Sequence, residues 1–193
     1  MRSIATSEPT NRYGPVAIFL HWTVAALILV AWLMPQVTDL VGRHEAAVIM
    51  GLHRSIGVTV FVLVLARAVW RLVSPPPALP AQTKRLVRLA SHAGHAALYL
   101  LMLAVPAFGM LFTWAAGRDI PVWGLFTLPA PFAQNDSLRG LFINLHALAA
   151  NGILVLVGVH VAAALFHHYV LKDGLLTRML PARIRPQLSS PAR

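Results

Sequence analysis

The chain has 193 residues, 58% of them hydrophobic and 11% charged, with a mean hydropathy of +0.68, far more apolar than a soluble domain of this size. Its formal charge of +10 does not read as a nucleic-acid footprint, because the basic residues cluster between long apolar runs and not along one solvated face. With no cysteine, disulfides, thiolate zinc sites, iron–sulfur clusters and the attachment of a c-type haem are all excluded, which leaves the nine histidines as the natural holders of any redox metal.

A helix that crosses a hydrocarbon core of roughly 30 Å needs about 20 mostly apolar residues, because every backbone polar group must be satisfied within the segment. Four stretches qualify, predicting an all-α integral membrane four-helix bundle and a single domain over residues 1–193. The first covers about 16–34 and stops at Pro35; its apolar part is too long for a signal peptide and no small-residue cleavage pattern follows it. The second covers about 46–70 and is ended by Ser74 and the triple proline Pro75 to Pro77. The third, about 89–114, contains Pro106 and Gly109, which predict one bent helix. The connection over 117–140 carries Pro121, Trp123, Phe126, Pro129, Pro131 and Phe132, a content suited to a loop lying on the membrane surface or over a cofactor edge. The fourth helix covers about 141–170.

Lys and Arg are retained in the cytoplasm, so their distribution over the short connections predicts orientation. Arg2 and Arg12 precede the first helix; Arg71, Lys84, Arg85 and Arg88 lie between the second and third; Lys172, Arg178, Arg183, Arg185 and Arg193 follow the fourth. In the first connection Arg43 is offset by Asp39 and Glu45, and in the third Arg118 and Arg139 by Asp119 and Asp136. Both termini are therefore expected in the cytoplasm, and the first and third connections in the periplasm.

This topology assigns each histidine a depth. His146 and His160 are fourteen residues apart on the fourth helix, which returns them to nearly the same face, displaced by roughly 21 Å along the axis. His53 on the second helix matches the depth of His146, near the outside, and His21 on the first matches His160, near the inside. Four imidazoles at two depths are what two stacked haems require. Two axial nitrogens per iron block dioxygen and leave outer-sphere electron transfer as the chemistry. His92 and His95 compete with His21 for His160, the alternatives being a propionate donor, a quinone contact or an interfacial residue. His167 and His168 are expected to be interfacial or quinone-contacting, and His44 to lie in a polar loop without a role. Arg54 and Arg67 are the arginines well within the helices, where a charge needs a reason. Arg54, next to His53, suits the propionates of the outer haem, whereas Arg67, nearer the cytoplasm, is open to a snorkelling reading.

Particular motifs resemble the bacterial cytochrome b561 family. They are Arg12-Tyr13 followed by Phe19-Leu20-His21-Trp22, Gly51-Leu52-His53, the run Arg67 to Pro76, and Ser91-His92-x-x-His95 leading to Pro106-x-x-Gly109. The loop Ile120-Pro121-Val122-Trp123-Gly124-Leu125, His146 with His160, His167-His168-Tyr169-x-x-Lys172-Asp173-Gly174 and Arg178-Met179-Leu180-Pro181 complete the likeness, which spans about Arg12 to Pro181. The resemblance implies a di-haem b cytochrome of the bacterial inner membrane. Through one branch of the family it implies a superoxide oxidase: superoxide would give electrons at the haem between His53 and His146, the haem between His21 and His160 would store or relay them, and ubiquinone would be the acceptor. Lys172, His167, His168 and Asp173 are the proton donors if the quinone binds inside; the sequence does not choose the side. Charge alone argues little for an anionic substrate, since Arg43, Arg54, Arg118 and Arg139 form a positive patch only if the fold gathers them. Two rivals remain at this point: a cytochrome b subunit linking a partner dehydrogenase to quinone, and a haem-free transport or structural bundle.

Overall fold

The structure, a computed structural model, describes residues 12–78 and 83–181. Arg2, Arg183, Arg185 and Arg193 lie outside the described residues. Four long helices form the bundle: α1 (Pro15–Gln36), α2 (Arg43–Val73), α3 (Arg85–Ala115) and α4 (Asp136–Phe166), all apolar and long enough to cross a membrane. At 31 residues each, α2, α3 and α4 are roughly 46 Å long, so they tilt or project beyond a 30 Å core. The four expected spans are present, each starting earlier than expected, by one residue in α1 and by three to five in the others.

The extensions have local causes. Pro15 opens α1, where its fixed φ suits a helix and its missing N–H is not needed. Pro35 does not stop α1, which runs one residue past it; in the last turn a proline removes one N–H and frees one carbonyl without a following turn to break. Asn135 caps α4 by accepting from the backbone N–H of Leu138 at 3.0 Å, so that helix starts at Asp136, ahead of the apolar run. Its far end widens into a π-helical turn, His167–Leu171, and is closed by Lys172 and Gly174 at positive φ.

Backbone packing is closest in the sequential pairs α1–α2, α2–α3 and α3–α4, and α4 meets α1 at His160 with His21 and α2 at His146 with His53. The shared core is a short column of Val24, Ile56, Val60, Val64, Met102 and Ile153. Leu29, Trp32, Val62, Leu100, Leu148 and Val155 are among many large apolar residues left exposed, as expected of faces solvated by lipid.

The two ends of the bundle differ in how they are closed. At one, the 117–140 connection is more ordered than a surface loop: Ile120–Val122 (β1) and Phe126–Leu128 (β2) pair antiparallel, Ile120 opposite Leu128, with Trp123 and Gly124 turning at positive φ. Ile120 and Val122 are buried, and the turn is pinned to α2. The Trp123 N–H donates to Ser55 Oγ at 3.0 Å, its indole Nε1–H to Thr59 Oγ1 at 2.9 Å, and Ser55 Oγ lies 3.2 Å from the carbonyl of Pro121. At the other end a 3-10 turn at Leu176–Met179 folds back under α1. There Arg178 is not a free surface anchor. It is buried, donates to the carbonyl of Ala78 at 2.8 Å, and its own carbonyl accepts from the Tyr13 N–H, while Trp22 Nε1 donates to the carbonyl of Met179 at 2.9 Å. The first is the hairpin end of the bundle and the second its terminal end.

Candidate redox-cofactor sites

Nearer the hairpin end, His53 of α2 and His146 of α4 face each other with ring centroids 6.1 Å apart. Each has its Nδ1 against a main-chain carbonyl, Ala31 at 2.9 Å and Val105 at 2.8 Å. A carbonyl only accepts, so Nδ1 carries the proton in both rings and Nε2 is left with its lone pair, the tautomer a metal-ligating histidine needs. The carbonyl of Ala31 is available because residue 35 is proline: its intrahelical donor four residues on does not exist. His146 is accommodated by Gly109, where an added Cβ would stand 3.1 Å from the ring's Cε1 and Nδ1. Pro35 and Gly109 thus position the two imidazoles. The sequence marks Pro35 as a stop and Gly109 as a bend, and neither residue announces which histidine it serves.

Nearer the terminal end, His160 of α4 faces His21 of α1 at 6.4 Å and His95 of α3 at 5.6 Å between centroids. His95 Nδ1 donates to the carbonyl of Ser91 at 2.6 Å; His21 Nδ1 is buried with no partner among the described residues. An imidazole nitrogen sits about 2 Å from a bound transition metal, so two rings on opposite sides of one iron have centroids roughly 6.2 Å apart. The separations of 6.1 and 6.4 Å match that span, and 5.6 Å falls short of it. By this measure His21 suits the position opposite His160, and His95 lies off that axis. His92 and His44 are exposed.

Among the described residues no three or more His, Cys, Asp or Glu side chains group to hold a bare metal ion. A metal held by two imidazoles must bring its own equatorial ligands, which a porphyrin does. The chain also offers partners for porphyrin carboxylates: Arg54, one residue from His53, has a buried Nε without an acceptor among the described residues. Of the other arginines in the first and third connections and at their helix ends, Arg118 is close enough for its charge to act on Arg54, Arg139 stands 4.0 Å from Asp136, and no contact among the described residues gathers Arg43 with them. Past α4, His167 Nδ1 is paired with Asp173 Oδ2, whose other oxygen accepts from the Leu175 N–H at 3.1 Å.

Imidazoles that face one another across apolar helices, without a covalent anchor for a porphyrin, are features of a membrane-embedded b-type cytochrome. The model of the family described as prokaryotic cytochrome b561 matches residues 12–182, and the chain belongs to this family. It is similar to a protein of Yersinia pestis named probable superoxide oxidase CybB, 34% identical over 176 residues covering 90% of this chain and 98% of that protein. It is also similar to cytochrome b561 homolog 2 of Escherichia coli, 35% identical over 91% of this chain and 94% of that one. A third relative is cytochrome b562 of Cereibacter sphaeroides, 35% identical over 92% and 99%. The chain is accordingly a multi-pass protein of the bacterial inner membrane that carries electrons through haem b, and the haem-free transport or structural reading falls away.

Proposed function

We propose that the chain is a di-haem superoxide oxidase that passes electrons from superoxide to ubiquinone. In this reading His53 and His146 hold one haem b, His21 and His160 hold the other, and both termini face the cytoplasm, with the hairpin end in the periplasm. The observation that carries the di-haem reading is the pair of histidine separations, 6.1 and 6.4 Å, each matching the span of two imidazoles on one iron. The superoxide reading is supported by the Yersinia relative whose name states that activity.

Held by His53 with His146 and by His21 with His160, the haems would supply one-electron outer-sphere transfer. The chain's own residues set the conditions. The carbonyls of Ala31 and Val105 hold the hairpin-end imidazoles in the ligating tautomer. Arg54 and Arg118 put positive charge where an anion would arrive. At the terminal end, an open, mostly apolar groove of about 530 Å³ runs along α1, lined by Tyr13, Ile18, Phe19, Trp22 and Pro181, and suits a quinone ring. The His167–Asp173 pair and Lys172 lie at the same end, where protons are needed. The balance is two superoxide anions, one quinone and two protons giving two dioxygen molecules and one quinol.

The test is a reduced-minus-oxidised spectrum of the detergent-purified chain with haem counted per polypeptide, followed by addition of superoxide to the oxidised protein. Two low-spin b haems that superoxide reduces rapidly are expected. Two haems that ignore superoxide would move the assignment to a carrier linking a partner dehydrogenase to quinone, a role compatible with the relatives named only as cytochromes b561 and b562. A chain without haem would overturn the proposal.

A further inference from the structure

Arg67 and Arg71 are four residues apart on α2, the spacing at which like charges on one helix face repel. Both are nevertheless drawn to the same ring: the Arg67 guanidinium carbon lies 5.5 Å from the centroid of Tyr99 on α3, and that of Arg71 lies 6.0 Å from it. Neither has a carboxylate. Among the described residues the ion pairs are Arg139 with Asp136 and His167 with Asp173. Arg67 is half-buried, six residues and about 9 Å inside the end of α2, and Tyr99 stands one helical turn from His95, which faces His160. Two cations held near one aromatic ring, one turn from a terminal-end histidine and without an acidic residue, form a site for oxyanions. A planar guanidinium takes a carboxylate through two parallel N–H bonds, and a porphyrin seated between His21 and His160 brings two carboxylates.

We propose that Arg67 and Arg71, gathered at Tyr99, bind the carboxylates of the haem held at the terminal end. Arg67 then does not simply snorkel to the interface: it is the counterpart, at this haem, of Arg54 at the other. The anionic phosphates of inner-leaflet lipids share the oxyanion chemistry, but they favour exposed helix ends, whereas Arg67 lies six residues inside the end of α2. The proposal rests on the two-haem reading above.

The test is a redox titration of the purified holoprotein, first with haem counted in the parent chain. Two haems uphold the reading on which the proposal rests, and a parent with one would defeat that reading before the arginines are tested. The terminal-end haem is identified as the one that His160→Ala lacks. A positive charge beside a haem stabilises its reduced form, so Arg67→Gln should shift the reduction equilibrium of that haem about tenfold, a fall of about 59 mV for a one-electron couple. The other haem should be unmoved. Arg67→Lys should keep most of the potential, and Arg71→Gln should give a smaller fall of the same sign. Loss of the terminal-end haem in Arg67→Gln with retention in Arg67→Lys would support the site equally. Two haems with unchanged potentials in Arg67→Gln and Arg71→Gln, or an equal shift at both, would overturn it. So would a potential in the parent that rises when phospholipid is stripped and returns when anionic phospholipid is restored, with no such response in Arg67→Gln, since the bound oxyanion would then be lipid.

Discussion

Near the hairpin end both facing imidazoles have their Nδ1 protons committed to main-chain carbonyls, Ala31 for His53 and Val105 for His146, and a buried β-turn is pinned to α2 just beyond them. Near the terminal end His95 is held in this way by Ser91, while His21 keeps a buried Nδ1 without a partner among the described residues. One region is thus set by backbone before any cofactor arrives; the other leaves more of its polar geometry to be completed by what binds there. Preorganised ligands gain affinity by having their orientation settled in advance, and second-shell hydrogen bonds supply that orientation. Main-chain anchoring suits a site with one fixed occupant. The looser end also carries the open groove along α1 and the His167–Asp173 pair, to which the proposed function assigns the quinone and its protons.

The largest expected effect is the removal of one haem at a time. His146→Ala should drop the count from two haems per chain to one and leave the terminal-end haem low-spin, and His160→Ala should do the reverse, both read by pyridine haemochrome assay and reduced spectra. If either variant lost both haems, or neither, the two ends would not be independent sites. Next in size is the contest around His160. His21→Ala should lose the terminal-end haem, whereas His95→Ala should retain it, because the 5.6 Å separation is too short for a ring opposite His160. The opposite pattern would make His95 the partner.

A smaller effect is expected from the residues that position His53 and His146. Gly109→Ala improves helix propensity by about 1 kcal/mol but pushes on the His146 ring. The apo chain should therefore hold or gain thermal stability while the hairpin-end haem binds about tenfold less tightly. Pro35→Ala, which gives the carbonyl of Ala31 an intrahelical donor, should weaken the same haem less and leave its neighbour untouched. The smallest effect belongs to the hairpin. Trp123→Phe keeps the ring and removes the bond to Thr59, costing about 1 kcal/mol. Faster hydrogen exchange at the amides of 120–128 should report it, with both haem spectra unchanged.

Much of the architecture was legible because hydropathy and helical rise are one-dimensional. Four apolar runs of sufficient length, and a fourteen-residue spacing of two histidines, need no knowledge of neighbouring helices. The hairpin was less visible: three-residue strands carry too few positions for alternation to register, and Ser55 and Thr59 are hydroxyls of a kind that ordinarily bond back to their own helix. Arg178 read as a surface anchor because its charge is countable in the sequence and its bond to Ala78 is not.

By itself the sequence determined the membrane spans, the absence of any cysteine-held cofactor and the depths at which imidazoles recur. Only the tertiary structure decided that His53 turns toward Ala31, that Gly109 lies against His146, that His21 and His95 both face His160 at different separations, and that two arginines share Tyr99. The physical reason is that depth follows from counting residues along one helix. Facing depends on the rotation and tilt of each helix against the others, which in a bilayer are set by side-chain packing between helices and not by hydrophobicity.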